Sequence, residues 1–387
     1  MSSHIAIQGF ASRRFERVAD AFQRNFDTNA EAGASVCVYF GGERVVDLWA
    51  GFADRATEKP WQQDTLALVF SATKGVTAAC VLMLAERGVL DVDTPVAGYW
   101  PEFAAAGKAE IPLRWVLSHR AGLPLVEGDL STEQVLAWHP VVEAIAIQRP
   151  MWPPGSQHGY HTRTYGFILG EVVRRVTGVS LGRVLAREIA EPLGLDFHIG
   201  LPQALEPRVA TTYAAEPPTD AEERAIRDQF MGPGTLLHRA LNGPGQLAYG
   251  DVWNERRVHA AELPSSNGIG DARSLAKLYA ALIGPIEGRR ILRRETIAAA
   301  CEVQSEGPDA ILAGMPTRFG LGFMLPPMLS PDCAPSCFGH PGAGGSVAFA
   351  DPARGLSFAY VMNQMRLSLT PDERSAGLIR ATYEAMA

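Results

Sequence analysis

A serine and a lysine that could do chemistry together lie three residues apart in this sequence. Ser71 and Lys74 begin a segment whose apolar residues recur at helical spacing, and the segment runs to Gly88. This pattern predicts a buried helix that starts at Ser71 and has Gly88 as its C′ residue. Residues i and i+3 share one helix face, so the hydroxyl and the amine would lie within one turn of each other. That is the arrangement of a nucleophile and its base, and the helix N-terminus would favour an oxyanion there.

The lysine content strengthens this interpretation of Lys74. The chain has 31 arginines and only four lysines, which are Lys59, Lys74, Lys108 and Lys277. An amine can become a neutral base whereas a guanidinium stays charged, so a lysine inside an apolar helix of such a chain favours a role in proton transfer. The motif alone leaves one alternative open, a lysine whose amine snorkels to solvent beside an N-cap serine.

A second serine competes for the role of nucleophile. Gly178-Val179-Ser180-Leu181-Gly182 satisfies GxSxG, the elbow motif of α/β-hydrolases. That elbow needs a buried strand before the serine, whereas the residues before Ser180 have the apolar spacing of a helix that ends at Gly178. We therefore expect Ser180 to be the N-cap of the next helix.

Two further candidate motifs follow Ser71-x-x-Lys74 along the chain. Tyr160 follows a Pro-Gly turn, and His340-Pro341-Gly342 leads into a predicted hairpin. With the intervening LAERGVLDVDTPVAGYWPEF and LSHRAGLP, this order resembles the penicillin-recognising serine hydrolases, specifically the class C β-lactamases and their family VIII carboxylesterase relatives. In that family the second motif is Tyr-x-Asn, and the third is Lys-Thr-Gly or, in esterases and D-aminopeptidases, often His-x-Gly. The resemblance covers about residues 35–385.

The resemblance implies a fold and a set of site residues. The fold is α/β plus all-α, like that of β-lactamases and penicillin-binding proteins, with an antiparallel sheet flanked by helices and an inserted helical domain. Ser71 would form an acyl-enzyme while Lys74 and Tyr160 share the proton transfers, and which of the two is the acylation base stays open. The oxyanion would lie between the backbone N–H groups of Ser71 and Ala343. The implied substrate-binding residues are Thr162, His340 and Gly342.

Two departures from the lactamase motifs bear on the substrate. Thr162 stands where the lactamases have an Asn, and His340-Pro341 replaces Lys-Thr, so the permanent cation of the third motif is missing. We therefore predict a serine carboxylesterase that hydrolyses short-chain esters. The alternatives are a β-lactamase, a D-alanyl peptidase or another amide or lactone hydrolase with the same Ser-Lys-Tyr site. A non-catalytic binding protein that keeps the fold is a third hypothesis.

The elements around these motifs predict where they lie. Alternating runs on either side of Gly41-Gly42, and again around the PARG turn at 352–355, predict hairpins, so the sheet takes strands from both chain ends. Amphipathic helices are predicted from Ser12 to Asp27 and after a capping box that begins at Thr370-Pro371. The α/β domain would comprise residues 1–75 and 264–387, and a mainly helical domain residues 76–263.

Composition excludes several classes of protein. The 387 residues carry a net charge of −7 with no long basic run, so no nucleic-acid partner is expected. Five cysteines, an odd number mostly in apolar stretches, do not indicate a disulfide framework, and Cys333 and Cys337 lack the further ligands of a zinc site. We expect no metal, no cofactor and no membrane partner. The lack of an apolar leader-like stretch favours the cytoplasm, and the oligomeric state is not predicted.

Overall fold

A central antiparallel sheet organises the molecule. The computed structural model describes residues 5–218, 220–366 and 372–387. The strands are β1 (Gln8–Ala11), β2 (Gly33–Phe40), β3 (Glu43–Asp54), β4 (Lys59–Pro60), β5 (Ala67–Leu68), β6 (Phe197–His198), β7 (Ile269–Gly270), β8 (Ser305–Pro308), β9 (Pro316–Phe319), β10 (Phe338–Pro341), β11 (Val347–Asp351) and β12 (Leu356–Met362). The main sheet has the order β1-β3-β2-β12-β11-β10, with β4 paired to β3. Strands from both ends of the chain therefore meet in one sheet, as predicted, where β2 pairs with β12.

Both predicted hairpins are present. β2 and β3 are joined at Gly41-Gly42, where φ is +61° and +85°, a backbone region that glycine enters without the strain of a Cβ. β11 and β12 are joined by the turn at 352–355, with Asp351 opposite Leu356. β10 lies at the far end of the sheet, where Pro341 can sit because an edge strand need not donate every N–H.

Helices cover both faces of the sheet and fill the middle of the chain. They are α1 (Glu16–Thr28), α2 (Thr73–Glu86), α3 (Val96–Tyr99), α4 (Leu113–Leu117), α5 (Thr132–Leu136), α6 (His139–Ile147), α7 (Thr164–Thr177), α8 (Leu181–Leu185), α9 (Glu191–Leu193), α10 (Ala221–Met231), α11 (Leu236–Asn242), α12 (Arg256–Ala260), α13 (Ala272–Ile283), α14 (Arg294–Ala300) and α15 (Glu373–Glu384). α13 packs on β2, β11 and β12, while α1 and α15 pack together on the other face. None of the helices in the described ranges is long and apolar enough to cross a bilayer.

The terminal helices differ in detail from the predictions. The first begins with a 3₁₀ turn at Arg13–Phe15, and the α-helix itself runs from Glu16 to Thr28, with Val18 and Phe22 buried as the apolar spacing predicts. α15 begins at Glu373, and its N-cap is Asp372, whose carboxylate accepts the backbone N–H of Arg374. The predicted capping residues Thr370 and Pro371 lie outside the described residues.

The helical region between the sheet's two halves is centred on α2. Every residue from Thr73 to Leu84 is buried, so this helix is surrounded by protein on all sides rather than on one apolar face, and it packs against α7 and α8. Gly88, with φ +70°, follows its C-terminus as predicted. A small sheet of order β5-β7-β6, which the sequence pattern did not reveal, ties the region before Ser71 to the residues before α13. The division at residues 75/76 and 263/264 stays a prediction.

Candidate active site

Ser71 lies in a tight turn that leads into α2. The turn is a 3₁₀ segment, Phe70–Ala72, so the α-helix starts two residues later than predicted, at Thr73. Phe70 has φ +44°, which is rare for a bulky residue and needs support from its surroundings. Tyr249 and Trp253 supply it, because each packs edge-on against the Phe70 ring at 5.1 Å between centroids. The half-buried Ser71 lines a cavity at this point.

Lys74 lies beside Ser71 as a candidate base. Its Nζ lies 3.3 Å from Ser71 Oγ and donates to the backbone carbonyls of Thr162 (2.7 Å) and Ser265 (3.0 Å). The side chain is fully buried, and burial together with the charge of Arg163 lowers the pKa of Lys74 well below its usual range. A neutral amine has two N–H groups and one lone pair. In that form the two carbonyls would take both N–H groups, and the lone pair would be free to accept a hydrogen bond from the Ser71 hydroxyl.

Tyr160 lies on the other side of the serine. Both residues line the cavity, the Tyr160 hydroxyl lies close enough to Ser71 for the serine to act on its pKa, and the Tyr160 ring centroid is 4.7 Å from Lys74 Nζ. Burial raises the pKa of Tyr160 well above its usual value, so the phenol stays protonated at working pH. The structure thus brings together Ser71, Lys74 and Tyr160, and burial shifts the pKa values of the two candidate bases in opposite directions, downward for the amine and upward for the phenol.

His340 lies in β10 beside the tyrosine, 5.8 Å between ring centroids. Its Nδ1–H donates to the carbonyl of Pro341 at 2.7 Å, and burial, followed by the charge of Lys74, lowers the pKa of His340 to about 3. The ring is therefore neutral. Within the described ranges its buried Nε2 has no hydrogen-bond partner, so it can accept a hydrogen bond from a group that enters the cavity.

The residues after His340 bring the end of β10 against the Ser71 turn. A Cβ on Gly342 would lie 2.1 Å from the carbonyl oxygen of Val69, so only glycine allows this approach. Gly342 N–H donates to Ser346 O, and Gly345 N–H donates back to Gly342 O, which closes a turn around Ala343. In the part of the chain that the structure describes, the backbone N–H groups of Ser71 and Ala343 have no protein acceptor, and both residues line the cavity. Such a pair can hold an oxyanion.

Thr162 takes part through its backbone. Its carbonyl oxygen accepts from Lys74, while its side chain is buried, does not line the cavity, and leaves Oγ1 without a partner among the described residues. A contact between the Thr162 side chain and substrate stays a prediction. The carbonyl of Ser265 is a contributor that sequence analysis missed, because a backbone acceptor has no residue-type signal.

The cavity beside Ser71 has a volume of about 180 Å³. Three chain segments form its apolar wall: the region of α10 and α11, the loop between β8 and β9, and the stretch before β10. Their lining side chains are Met231, Leu237, Leu241, Leu312, Met315, Met324, Met328 and Leu329. Methionine side chains adapt to ligand shape, so this wall suits an apolar group of variable form.

Ser180 lies in a different environment. α7 ends at Thr177, Gly178 has φ +74°, and Ser180 Oγ accepts the backbone N–H of Arg183 as the N-cap of α8. The hydroxyl itself donates to Glu262 Oε1 at 2.6 Å. The predicted capping role is confirmed. The helix that follows is interrupted, because a π-helical segment (186–190) separates α8 from α9.

This arrangement is that of a serine hydrolase that works through an acyl-enzyme. The serine has a buried amine one helical turn away, a tyrosine nearby and two backbone N–H groups without acceptors. The chain belongs to the Beta-lactamase family, whose family model matches residues 18–381.

Individual relatives agree with this assignment. The "Esterase/beta-lactamase LipL" of Mycobacterium tuberculosis is 38% identical over 374 residues, covering 92% of this chain and 83% of the relative. The solved structure of a family VIII carboxylesterase has a TM-score of 0.89 at 37% identity, covering 98% of this chain and all of that one. The solved structure of a penicillin-binding protein homologue from Caulobacter crescentus has a TM-score of 0.87, also at 37% identity, and the match covers 98% of this chain and all of that one. The β-lactamase-like fold predicted from the sequence is confirmed.

Proposed function

We propose that the protein is a serine carboxylesterase that hydrolyses short-chain esters through an acyl-enzyme on Ser71. The observation that carries the proposal is the environment of Lys74, whose Nζ lies 3.3 Å from Ser71 Oγ and donates to two backbone carbonyls, so that the lone pair of the neutral amine would be free for the Ser71 proton. Relatives named as esterases at 37–38% identity over nearly the whole chain support the same reaction class.

Acylation follows from this geometry. Lys74 Nζ accepts the hydroxyl proton as Ser71 Oγ attacks the ester carbonyl carbon, and the carbonyl electron pair moves onto an oxygen held by the N–H groups of Ser71 and Ala343. When this intermediate collapses, the C–O bond to the alcohol breaks. The leaving oxygen takes a proton from the Tyr160 hydroxyl, which is replenished by the proton on Lys74. Deacylation runs the sequence in reverse with water in place of the alcohol: water attacks the acyl carbonyl carbon as its proton passes through the Tyr160 hydroxyl to Lys74, and the C–O bond to Ser71 Oγ then breaks as Lys74 returns the proton to Oγ.

The cavity supports an ester with an apolar acyl group as substrate. Its wall is lined by methionine and leucine, and the third motif offers a neutral His340 and a proline that donates nothing, instead of a cation and a hydroxyl. A neutral ester needs no anion anchor. Its alkoxide or phenoxide leaving group also departs more readily than an amine.

A comparison of two substrates tests the proposal. We expect p-nitrophenyl acetate and butyrate to be turned over with kcat/KM at least about 10²-fold above that for the β-lactam nitrocefin, a difference of roughly 2.7 kcal/mol in transition-state stabilisation. Comparable kcat/KM values for the two substrates would favour the second candidate function, a β-lactamase or other amide hydrolase. The mycobacterial relative is named for both activities, which supports this candidate. A cytoplasmic location and the absence of nucleic-acid and membrane partners stay predictions from the sequence.

A further inference from the structure

We infer that Asp309 is a positioning residue for Tyr160, a buried carboxylate that fixes where the phenol lies relative to Ser71. The inference rests on the proposed function, since it takes Tyr160 to be catalytic. Asp309 lies far from Tyr160 in sequence, at the end of β8, and no motif points to it.

One oxygen of Asp309 gathers backbone N–H groups from two segments. Oδ1 accepts the backbone N–H of Tyr160 at 3.1 Å, and those of Ile311 and Leu312 at 2.9 Å each. A second link joins the same two segments, because Ala310 N–H donates to the carbonyl of His158 at 3.2 Å. The carboxylate therefore holds the backbone of the tyrosine in a fixed register against the loop between β8 and β9.

The other oxygen is held by side chains rather than by a cation. Oδ2 accepts from the Thr317 hydroxyl at 3.3 Å, and His158 Nε2 lies 2.9 Å from that hydroxyl and 4.0 Å from Oδ2. Burial lowers the pKa of His158, so the ring is mostly neutral at pH 7. In the described ranges, no lysine or arginine forms an ion pair with Asp309.

Burying a carboxylate without a cation costs free energy of folding, so a fully buried Asp309 points to a function that offsets this cost. Three N–H donors and a hydroxyl offset part of the cost. The part of the burial cost that remains points to a role in the active site. The loop that Asp309 organises also carries Leu312 and Met315 of the cavity wall, and the segment that Asp309 anchors carries the Tyr160 phenol. Asp309 thus positions both Tyr160 and part of the cavity wall.

The position of the Tyr160 phenol matters because the reaction rate depends strongly on where a catalytic group lies. Displacement of a catalytic group by about 1 Å can cost on the order of 10²-fold in rate. Asp309→Asn keeps the size of the side chain, but removes its charge and replaces one acceptor oxygen with an N–H donor. We expect kcat for p-nitrophenyl acetate to fall about 10- to 100-fold while KM changes less than about 3-fold, because the small acetyl group makes little use of the wall.

A double-mutant cycle with Tyr160→Phe separates positioning from a structural role. If Asp309 acts through the phenol, Asp309→Asn should lower kcat less than about 3-fold in the Tyr160→Phe background. The same loss in both backgrounds, with thermal unfolding curves that show folded protein throughout, would overturn the inference. If Asp309→Asn does not fold, the cycle is run with the nearly isosteric Thr317→Val, for which we expect a roughly 3- to 10-fold loss with the phenol present and none without it.

The Tyr160→Phe variant also distinguishes the two levels of the argument. An unchanged kcat in this single variant would remove Tyr160 from the mechanism, so the proposed catalytic scheme itself would fail. A large loss there, combined with wild-type kcat in Asp309→Asn, would leave the scheme intact and refute the role of Asp309 alone.

Discussion

Two buried lysines in different parts of the molecule have nearly the same surroundings and different consequences. Lys74 lies in the first turn of α2, and Lys108 lies in the loop after the 3₁₀ segment Pro101–Gly107. Both side chains are fully buried. Lys108 Nζ donates to three backbone carbonyls, those of Ala105 (2.7 Å), Ala146 (3.0 Å) and Gln148 (2.6 Å). Lys74 has two carbonyls, and its third neighbour is the hydroxyl of Ser71.

The third neighbour decides what each amine can do. Three carbonyls are acceptors only, so they engage all three N–H groups of a charged ammonium and leave no use for a lone pair. A hydroxyl can also donate, so it can reverse its hydrogen bond and pass its proton to the amine. Burial lowers the pKa of both lysines, to about 8 for Lys108 and well below the usual range for Lys74. Burial alone therefore does not define a catalytic lysine.

The strongest way to break the comparison is to remove the third partner of Lys74. Ser71→Ala should lower kcat by on the order of 10³-fold or more, because the nucleophile is lost while the fold remains. Ser180→Ala is the matched control, since that serine caps α8, bonds Glu262 and does not line the cavity beside Ser71, and activity should stay within a few-fold. Mass spectrometry after labelling with a fluorophosphonate should place the adduct on Ser71. An adduct on Ser180 would refute the assignment.

Arginine at each lysine position tests whether charge or proton transfer matters. Lys74→Arg keeps a cation that cannot act as a base, so we expect kcat/KM for the butyrate ester to fall at least about 10²-fold. Lys108→Arg should leave kcat/KM within a few-fold in protein that is folded by circular dichroism. Substantial activity in Lys74→Arg would transfer the base role to Tyr160.

The pH dependence sharpens the assignment of the base. Lys74 acts as a base when neutral, so kcat/KM should rise with pH through its pKa, which burial and the charge of Arg163 hold well below the usual lysine range. His340 has a pKa of about 3 and stays neutral over the same range. The acid limb measured from pH 4 to 10 should therefore keep its midpoint in His340→Gln, even if the rate changes. A midpoint that moves by a full pH unit would identify the histidine as the titrating group.

The smallest effect concerns stability. Lys108→Met leaves three carbonyls without their donor, of which those of Ala146 and Gln148 are buried, and we expect a loss of about 2 kcal/mol, or several degrees in Tm, with unchanged kcat. Lys74→Met leaves only two carbonyls without a donor, so its Tm should fall less. Equal shifts measured by differential scanning calorimetry would show that the two lysines serve the fold alike.

The same pair shows what the sequence can and cannot reveal. The scarcity of lysine would select Lys108 as readily as Lys74, and only the spacing to Ser71 distinguishes them. The hairpins and the terminal helices follow from local alternation and periodicity. The two-residue strands β5, β6 and β7 are too short for such patterns, and Asp309 meets Tyr160 only through tertiary packing. The 3₁₀ start of the Ser71 turn likewise depends on Tyr249 and Trp253, so local propensity could not predict it.

The left-handed backbone of Phe70 has a consequence for the order in which the protein gains activity on refolding. The rings that hold it, Tyr249 and Trp253, come from a segment far along the chain, and contacts between distant segments form late because of the entropy of closing a long loop. α2 can form from local interactions before that segment docks. After dilution from denaturant, we expect the helical circular dichroism signal to recover first and esterase activity to lag behind it. Simultaneous recovery would show that the turn adopts its shape without the two aromatic rings.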